Sequence, residues 1–343
     1  MTFPRSRSTL LGAGALALSL AVGGTVGWDA PDGAAAAPPV TTSSDGTTTA
    51  KHAAFAATFK HKYAEVRGVR MHYVTGGKGP ALVLLHGWPQ TWYEWRKIMP
   101  ALAEHHTVYA LDLPGLGDSK GSPERFDKKT LARYVHELLR DRMGLDDFDL
   151  VAHDLGAGVG AQYASRYPRE VNSYVHMDYP LPGRELPAAR YRTFSWHMAF
   201  NSQRAIPEKL VDDREDVRAY ITAFATQVAH GGTAFGGTRT KPPFTREETD
   251  EYARTYSRPD ALHAGFELYR TLDEDERDNI AAAPTDTPTL LLTATGSLAA
   301  TRPTLTPMLR NVTRAAEIPK SGHWLAEENP QAVTREILAF TGR

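Results

Sequence analysis

The 343-residue chain contains no cysteine. That excludes disulfide stapling, a thiol nucleophile, thiolate metal ligation and a cysteine-linked lipid. A chain of this length can bury a core large enough to dispense with disulfides. Net charge is also scarce: 39 Lys and Arg face 40 Asp and Glu, a formal charge of -1. No global basic field therefore points to nucleic acid as a partner. The one G-x-S-x-G, Gly117-Asp118-Ser119-Lys120-Gly121, falls in a Gly-rich turn after a strand and not on a strand-to-helix elbow, which argues against an ordinary serine esterase. The histidines show no metal-ligand spacing, and neither a metal nor an organic cofactor is expected.

What is present begins with a patterned N-terminus. Arg5 and Arg7 precede the uncharged, Leu-, Ala- and Gly-rich run Thr9 to Gly27, and the small-residue tract Ala34 to Ala37 follows. This is the layout of a secretory signal peptide with an Ala-x-Ala-like cleavage site, so residues 1–37 are expected to be removed on export. The alternative is a membrane anchor, since the run reaches the roughly 18 residues of a span. Its Gly and Ala content makes it weakly hydrophobic, and no basic cluster follows to stop transfer. Ser6 separates the two arginines, so a twin-arginine signal is not met. Residues 38–58, dominated by Pro, Thr, Ser, Gly and Ala in their first part, read as a flexible linker.

Beyond the linker, strand and helix patterns alternate. Strands are expected at Arg70–Val74, Ala81–His86, Thr107–Leu111, Phe148–His153, Val171–Met177, Thr289–Thr293 and Thr313–Ile318. Helices are expected at Thr91–Ala103, Lys129–Arg142, Gly156–Arg166 and Pro330–Phe340, the last with Asn329 as N-cap and Pro330 at its first position. Such alternation implies a mainly parallel sheet covered on both faces. Residues 181–283 break the pattern with helical, aromatic-rich segments and the Gly-rich connection Gly231–Gly237. They read as a helical cap inserted between two parts of an α/β core, residues 59–180 and 284–343.

The chemistry lies at the strand ends. Ala152-His153-Asp154-Leu155-Gly156 follows one strand and opens a helix, with small residues two positions either side of Asp154. A nucleophile elbow has this form, because a tight strand-to-helix turn tolerates only small neighbours. Here the reacting position holds a carboxylate. Gly156 to Ala161 also fits the dinucleotide fingerprint G-x-G-x-x-G/A, with Asp178 about 20 residues on. Against that reading, Asp154 would repel the pyrophosphate, and several strands precede the motif. His86-Gly87-Trp88-Pro89 ends another strand, where the Trp88 N–H can join that of Leu155 in an oxyanion hole. Ser321-Gly322-His323-Trp324 follows the last strand, where a loop can carry an imidazole to the elbow.

These segments together resemble the α/β-hydrolase group that contains epoxide hydrolases and haloalkane dehalogenases. The resemblance spans residues 59 to 343 and implies Asp154 as nucleophile and His323 as base. The third member is a carboxylate after one of two strands. No acid follows Thr289–Thr293, so the resemblance to the subset with the earlier position implies Asp178; a turn-capping role is the alternative. A carboxylate attacking saturated carbon leaves an ester that water can cleave, whereas serine would leave an inert ether.

Trp196-His197 and Phe266-Glu267-Leu268-Tyr269-Arg270 resemble the secreted bacterial epoxide hydrolases of the Cif type, in which one ring-opening tyrosine is a histidine. That likeness extends through Met177 to Pro182 and Tyr252 to Tyr256. It implies His197 and Tyr269 as donors to the epoxide oxygen, and a homodimer. The chain departs from the Cif type in carrying Asp, not Glu, at position 178. Alternatively, Leu262, Phe266, Tyr269 and Leu272 share one helical stripe, so Tyr269 could be plain core and His197 a packed histidine. Trp88 and Trp324 could line the pocket or pack beneath it. The expected partners are a small epoxide and water, with no stable membrane association after cleavage. Two other readings remain, a haloalkane dehalogenase and a catalytically silent secreted effector. Leu155 stands where many haloalkane dehalogenases carry Trp and fluoroacetate dehalogenases carry Arg.

Overall fold

The computed structural model describes residues 53–193 and 195–342. The expected leader, its cleavage site and the first part of the linker lie outside these residues. Residues 53–58, expected as linker, instead form a helical turn. Its Phe55 packs on Phe59 at 4.4 Å and on Trp92 at 6.0 Å between ring centroids. Apolar contact of this kind orders a segment that composition alone leaves loose.

Eight strands follow: β1 Lys60–Val66, β2 Val69–Gly77, β3 Ala81–Leu85, β4 Thr107–Leu111, β5 Phe148–His153, β6 Val171–Met177, β7 Thr289–Thr293 and β8 Val312–Glu317. They form one sheet in the order β1-β2-β4-β3-β5-β6-β7-β8. β1 and β2 pair antiparallel, as do β2 and β4, and the remaining pairs are parallel. Alternation along the strands builds two cores. Val83, Leu85, Leu150 and Ala152 face one side of the sheet, and Leu82, Leu84, Val151 and Val175 face the other. Both faces are buried, which is why these strands read as continuous apolar runs.

Helix α1 (Lys128–His136), which continues into a π turn, and α2 (Leu155–Arg166) cover the first face. The helix expected over Thr91–Ala103 is broken. A 3-10 turn, Trp92–Lys97, is followed by the short helix Met99–Leu102. Pro100 has no N–H for a continuous ladder and sits instead in the first turn of the second piece. Between β6 and β7 the described residues contain helices and no strand. The longer ones are α3 Trp196–Asn201, α4 Arg214–Val228, α5 Arg246–Tyr256, α6 Pro259–Arg270 and α7 Leu272–Ala281. The chain ends with α8 (Leu298–Leu305) and α9 (Pro330–Phe340), where Asn329 accepts the Ala332 N–H as N-cap. No helix among the described residues is long and apolar enough to cross a membrane.

In an open parallel sheet the crevice lies beyond the carboxyl ends of the strands. β3 delivers His86–Pro89 there, β5 delivers Asp154, β6 delivers Asp178, and β8 leads to His323.

Candidate active site

Asp154 turns the chain from β5 into α2 with φ +49° and ψ -133°. A side chain in that region costs on the order of 1–3 kcal/mol, so its surroundings must hold it there. Two glycines make the room. A Cβ on Gly156 would lie 2.2 Å from the His86 carbonyl oxygen, and one on Gly87 would lie 2.3 Å from Asp154 Cβ. β3 and the elbow therefore approach more closely than any side chain would allow.

That approach aims backbone donors at the carboxylate. The Trp88 N–H donates to Asp154 Oδ1 at 2.9 Å, and the Leu155 N–H, unused in the first turn of α2, also hydrogen-bonds the carboxylate. On the other side, His323 Nε2 stands 3.4 Å from Asp154 Oδ2. His323 Nδ1 lies 2.8 Å from Asp178 Oδ2, while Asp178 Oδ1 accepts the Ala294 N–H at 2.8 Å. The short arm of Asp178 thus reaches the imidazole, helped by its own left-handed backbone at φ +43°.

Electrostatics tie the group together. Burial opposes ionisation of Asp154. The His323 hydrogen bond and charge, His153 and the Leu155 N–H overcome it and hold the carboxyl at about 2. Burial likewise opposes a charge on His323, but hydrogen bonds and charges from Asp154 and Asp178 raise it to about 10. The resting pair is carboxylate and imidazolium.

Two side chains of the helical segment between β6 and β7 lie near the elbow. His197 and Tyr269 are both buried, their rings 5.9 Å apart at 87°. Tyr269 stands edge-on to Trp88 at 5.6 Å, and His197 packs on Phe224 at 4.2 Å. Burial lowers the His197 imidazole to about 3 against the pull of Asp154, so the ring is neutral. Its Nδ1 lies 2.8 Å from Ser195 Oγ, which leaves Nε2 for other partners. Burial first, then the Asp154 charge, push the Tyr269 phenol well above its ordinary value. Both side chains therefore feel the elbow carboxylate, and both are neutral.

The two tryptophans divide. Trp324 donates its indole N–H to the Ala225 carbonyl at 2.9 Å and packs on Phe224 and Phe244. It fastens α4 of the cap to the His323 loop. Trp88 lies under the cap against Tyr220, Phe224, Tyr256, Phe266 and Tyr269.

Other site residues were not legible as such. Glu328 accepts N–H bonds from His230, Gly322 and Trp324, and the His323 N–H bonds the Val228 carbonyl. His153 and Glu94 form a buried pair beneath the elbow. An acid between two tryptophans in Trp92-Tyr93-Glu94-Trp95 was the available signal for Glu94, since an acid in an otherwise buried turn needs a partner.

The elbow, its two N–H donors and the His–Asp relay are the parts of one known architecture, and the alpha/beta hydrolase fold family matches residues 80–330. The chain belongs to the α/β-hydrolase fold family. Within this family it falls in the epoxide hydrolase group. It is 35% identical over 290 residues to a soluble epoxide hydrolase of Corynebacterium sp. (strain C12), covering 82% of this chain and 96% of that one. A fluoroacetate dehalogenase of Burkholderia sp. is 29% identical over 300 residues, with 82% and 93% covered. Among solved structures of this α/β-hydrolase fold, the Cif epoxide hydrolase from Acinetobacter nosocomialis superposes with a TM-score of 0.73. It is 25% identical, with 89% of this chain and 99% of that one covered.

Proposed function

We propose that this hydrolase opens a small epoxide to a vicinal diol through a covalent ester on Asp154, acting outside the cytoplasm after its leader is removed. The observation that carries the reading is a carboxylate in place of a hydroxyl at the elbow, with one oxygen fixed by N–H donors and the other facing an imidazolium. The epoxide hydrolases among its relatives support the substrate class.

Asp154 Oδ2 attacks one ring carbon and the C–O bond to the ring oxygen breaks. His197 and Tyr269 hydrogen-bond the departing oxygen, and Tyr269 gives it a proton. The His323 imidazolium restores that proton, so no outside acid is consumed. Esterification also removes one of the two carboxylates that keep His323 protonated, which makes the imidazole available as a base.

His323 then takes a proton from water, and the hydroxide attacks Asp154 Cγ. The oxyanion forms on Oδ1, where the Trp88 N–H already points, with the Leu155 N–H on the same carboxylate. Asp178 holds the imidazolium through Nδ1. Collapse breaks the Cγ–Oδ2 bond, and His323 returns its proton to the leaving alkoxide. The new carboxylic acid then reprotonates His323, which restores the resting ion pair. The sum is epoxide plus water to diol, and the diol carries the former Oδ2.

The fluoroacetate dehalogenase relative favours a second reading, halide displacement by the same nucleophile. Leu155 opposes the carboxylate-bearing version of it, because no guanidinium follows Asp154 to hold a substrate carboxylate. A paired assay on the purified mature protein separates the readings. Diol from aromatic and aliphatic epoxides with little halide from bromoalkanes or fluoroacetate is the expected result. Halide without diol would establish the second reading, and neither product would favour a silent effector.

A further inference from the structure

Beneath the elbow lies a second imidazole–carboxylate pair that the scheme above does not use. His153 is fully buried and Glu94 is 1% exposed. His153 Nδ1 lies 2.8 Å from Glu94 Oε1, and Nε2 lies 2.9 Å from the backbone oxygen of His323. The two imidazole rings are 4.7 Å apart. A carbonyl oxygen has no proton to give, so Nε2–H is the donor and the tautomer is constrained. Nδ1 faces the Glu94 carboxylate at ion-pair distance, without the alignment of a hydrogen bond. A flip of the ring would break both contacts.

The three residues come from three places. Glu94 sits in the 3-10 turn just after the Trp88 donor, His153 immediately precedes Asp154, and His323 lies on the loop after β8. The pair thus ties the oxyanion segment, the nucleophile and the backbone of the base into one unit. Stability does not account for it. Buried ion pairs are often no better than apolar packing of similar volume, and Glu94 Oε2 has no hydrogen-bond partner.

We infer that Glu94 and His153 are positioning residues for the second half-reaction, fixing the His323 carbonyl so that Nε2 is aimed at the water that cleaves the ester. The inference rests on the Asp154 ester proposed above. A misplacement of about 1 Å in a reacting group can cost about 100-fold.

The test uses styrene oxide, acid quenching and intact mass, which separate ester formation from ester hydrolysis. His153→Phe keeps a ring and loses both contacts. It is expected to slow hydrolysis by up to about 100-fold, well beyond its effect on ester formation, so that ester accumulates. Glu94→Leu should act in the same direction, and it carries the test where His153→Phe does not fold. Glu94→Gln, which keeps an oxygen for Nδ1, should restore most of the wild-type ratio of the two steps. A folded His153→Phe or Glu94→Leu protein with the wild-type ratio overturns the inference, as does equal loss in Glu94→Gln and Glu94→Leu. His323→Gln serves as control. If it traps no ester, the Asp154 reading itself fails; if it traps ester while the others do not, only the positioning role fails.

Discussion

The imidazole Nε2 of His323 stands 3.4 Å from Oδ2 of Asp154. That is longer than a strong charge-assisted hydrogen bond, and the coupling comes from the hydrogen bond and the opposite charge together. In the proposed mechanism the same carboxylate that attacks keeps its future base protonated until it has reacted. Removing the charge at Asp154 should therefore change the titration of His323.

Asp154→Asn imitates the uncharged ester while preserving shape. In the native protein the His323 ring titrates near 10, raised by two carboxylates. In the variant it should titrate lower, because only Asp178 remains opposite it. Imidazole C–H resonances followed against pH read both values. An unmoved midpoint would show that Asp154 does not set the protonation of His323.

The two half-reactions should respond differently to acid. Asp154 is held at about 2, so ester formation persists as the pH falls from about 7 toward 5. Hydrolysis needs neutral His323 in the ester state, where one carboxylate has gone and its value is lower. Acid therefore slows hydrolysis, and the ester fraction in the steady state rises as the pH falls. Quenched intact-mass measurements across that range give the fraction directly. A fraction that declines with acid would contradict the role of His323.

Tyr269→Phe and His197→Phe each remove one proposed donor to the ring oxygen. Each should lower the rate of ester formation by about 10²–10⁴-fold, the usual weight of a positioned acid, with less effect on hydrolysis. Stopped-flow or quenched kinetics with an aromatic epoxide measure the step. Equal loss in both steps would point to a packing role for these rings instead.

Gly156→Ala tests the close approach at the elbow. Its Cβ would meet the His86 carbonyl at 2.2 Å, so β3 and α2 must separate. Overpacking of this sort costs about 1–3 kcal/mol, and thermal unfolding should show it as a lowered midpoint. Activity should fall further than stability, since His86 leads into the Trp88 donor.

Much of this is legible in the residues themselves. The bounds of β4, β5, β6 and β7 coincide with their apolar runs, because central parallel strands are buried on both faces. β1 was not legible. Its sequence Lys-His-Lys-Tyr-Ala-Glu-Val is mostly exposed at the sheet edge and has little to bury. The elbow was legible because steric crowding demands small residues around Asp154, a local constraint. Asp178 followed only from family likeness, since an acid before Tyr179-Pro180 suits a turn equally well. Glu94 and His153 act through each other across 59 residues, and no spacing announces such a pair.

The most direct measurement is a single turnover in H₂¹⁸O, with enzyme in excess over an aromatic epoxide. If Asp154 is the nucleophile, the first diol carries unlabelled oxygen from its carboxylate, and the label enters the enzyme. Peptide mass analysis should then find ¹⁸O on the segment containing Asp154. Labelled diol in the first turnover, with an unlabelled enzyme, would mean that water attacks the epoxide directly and that no ester forms on Asp154.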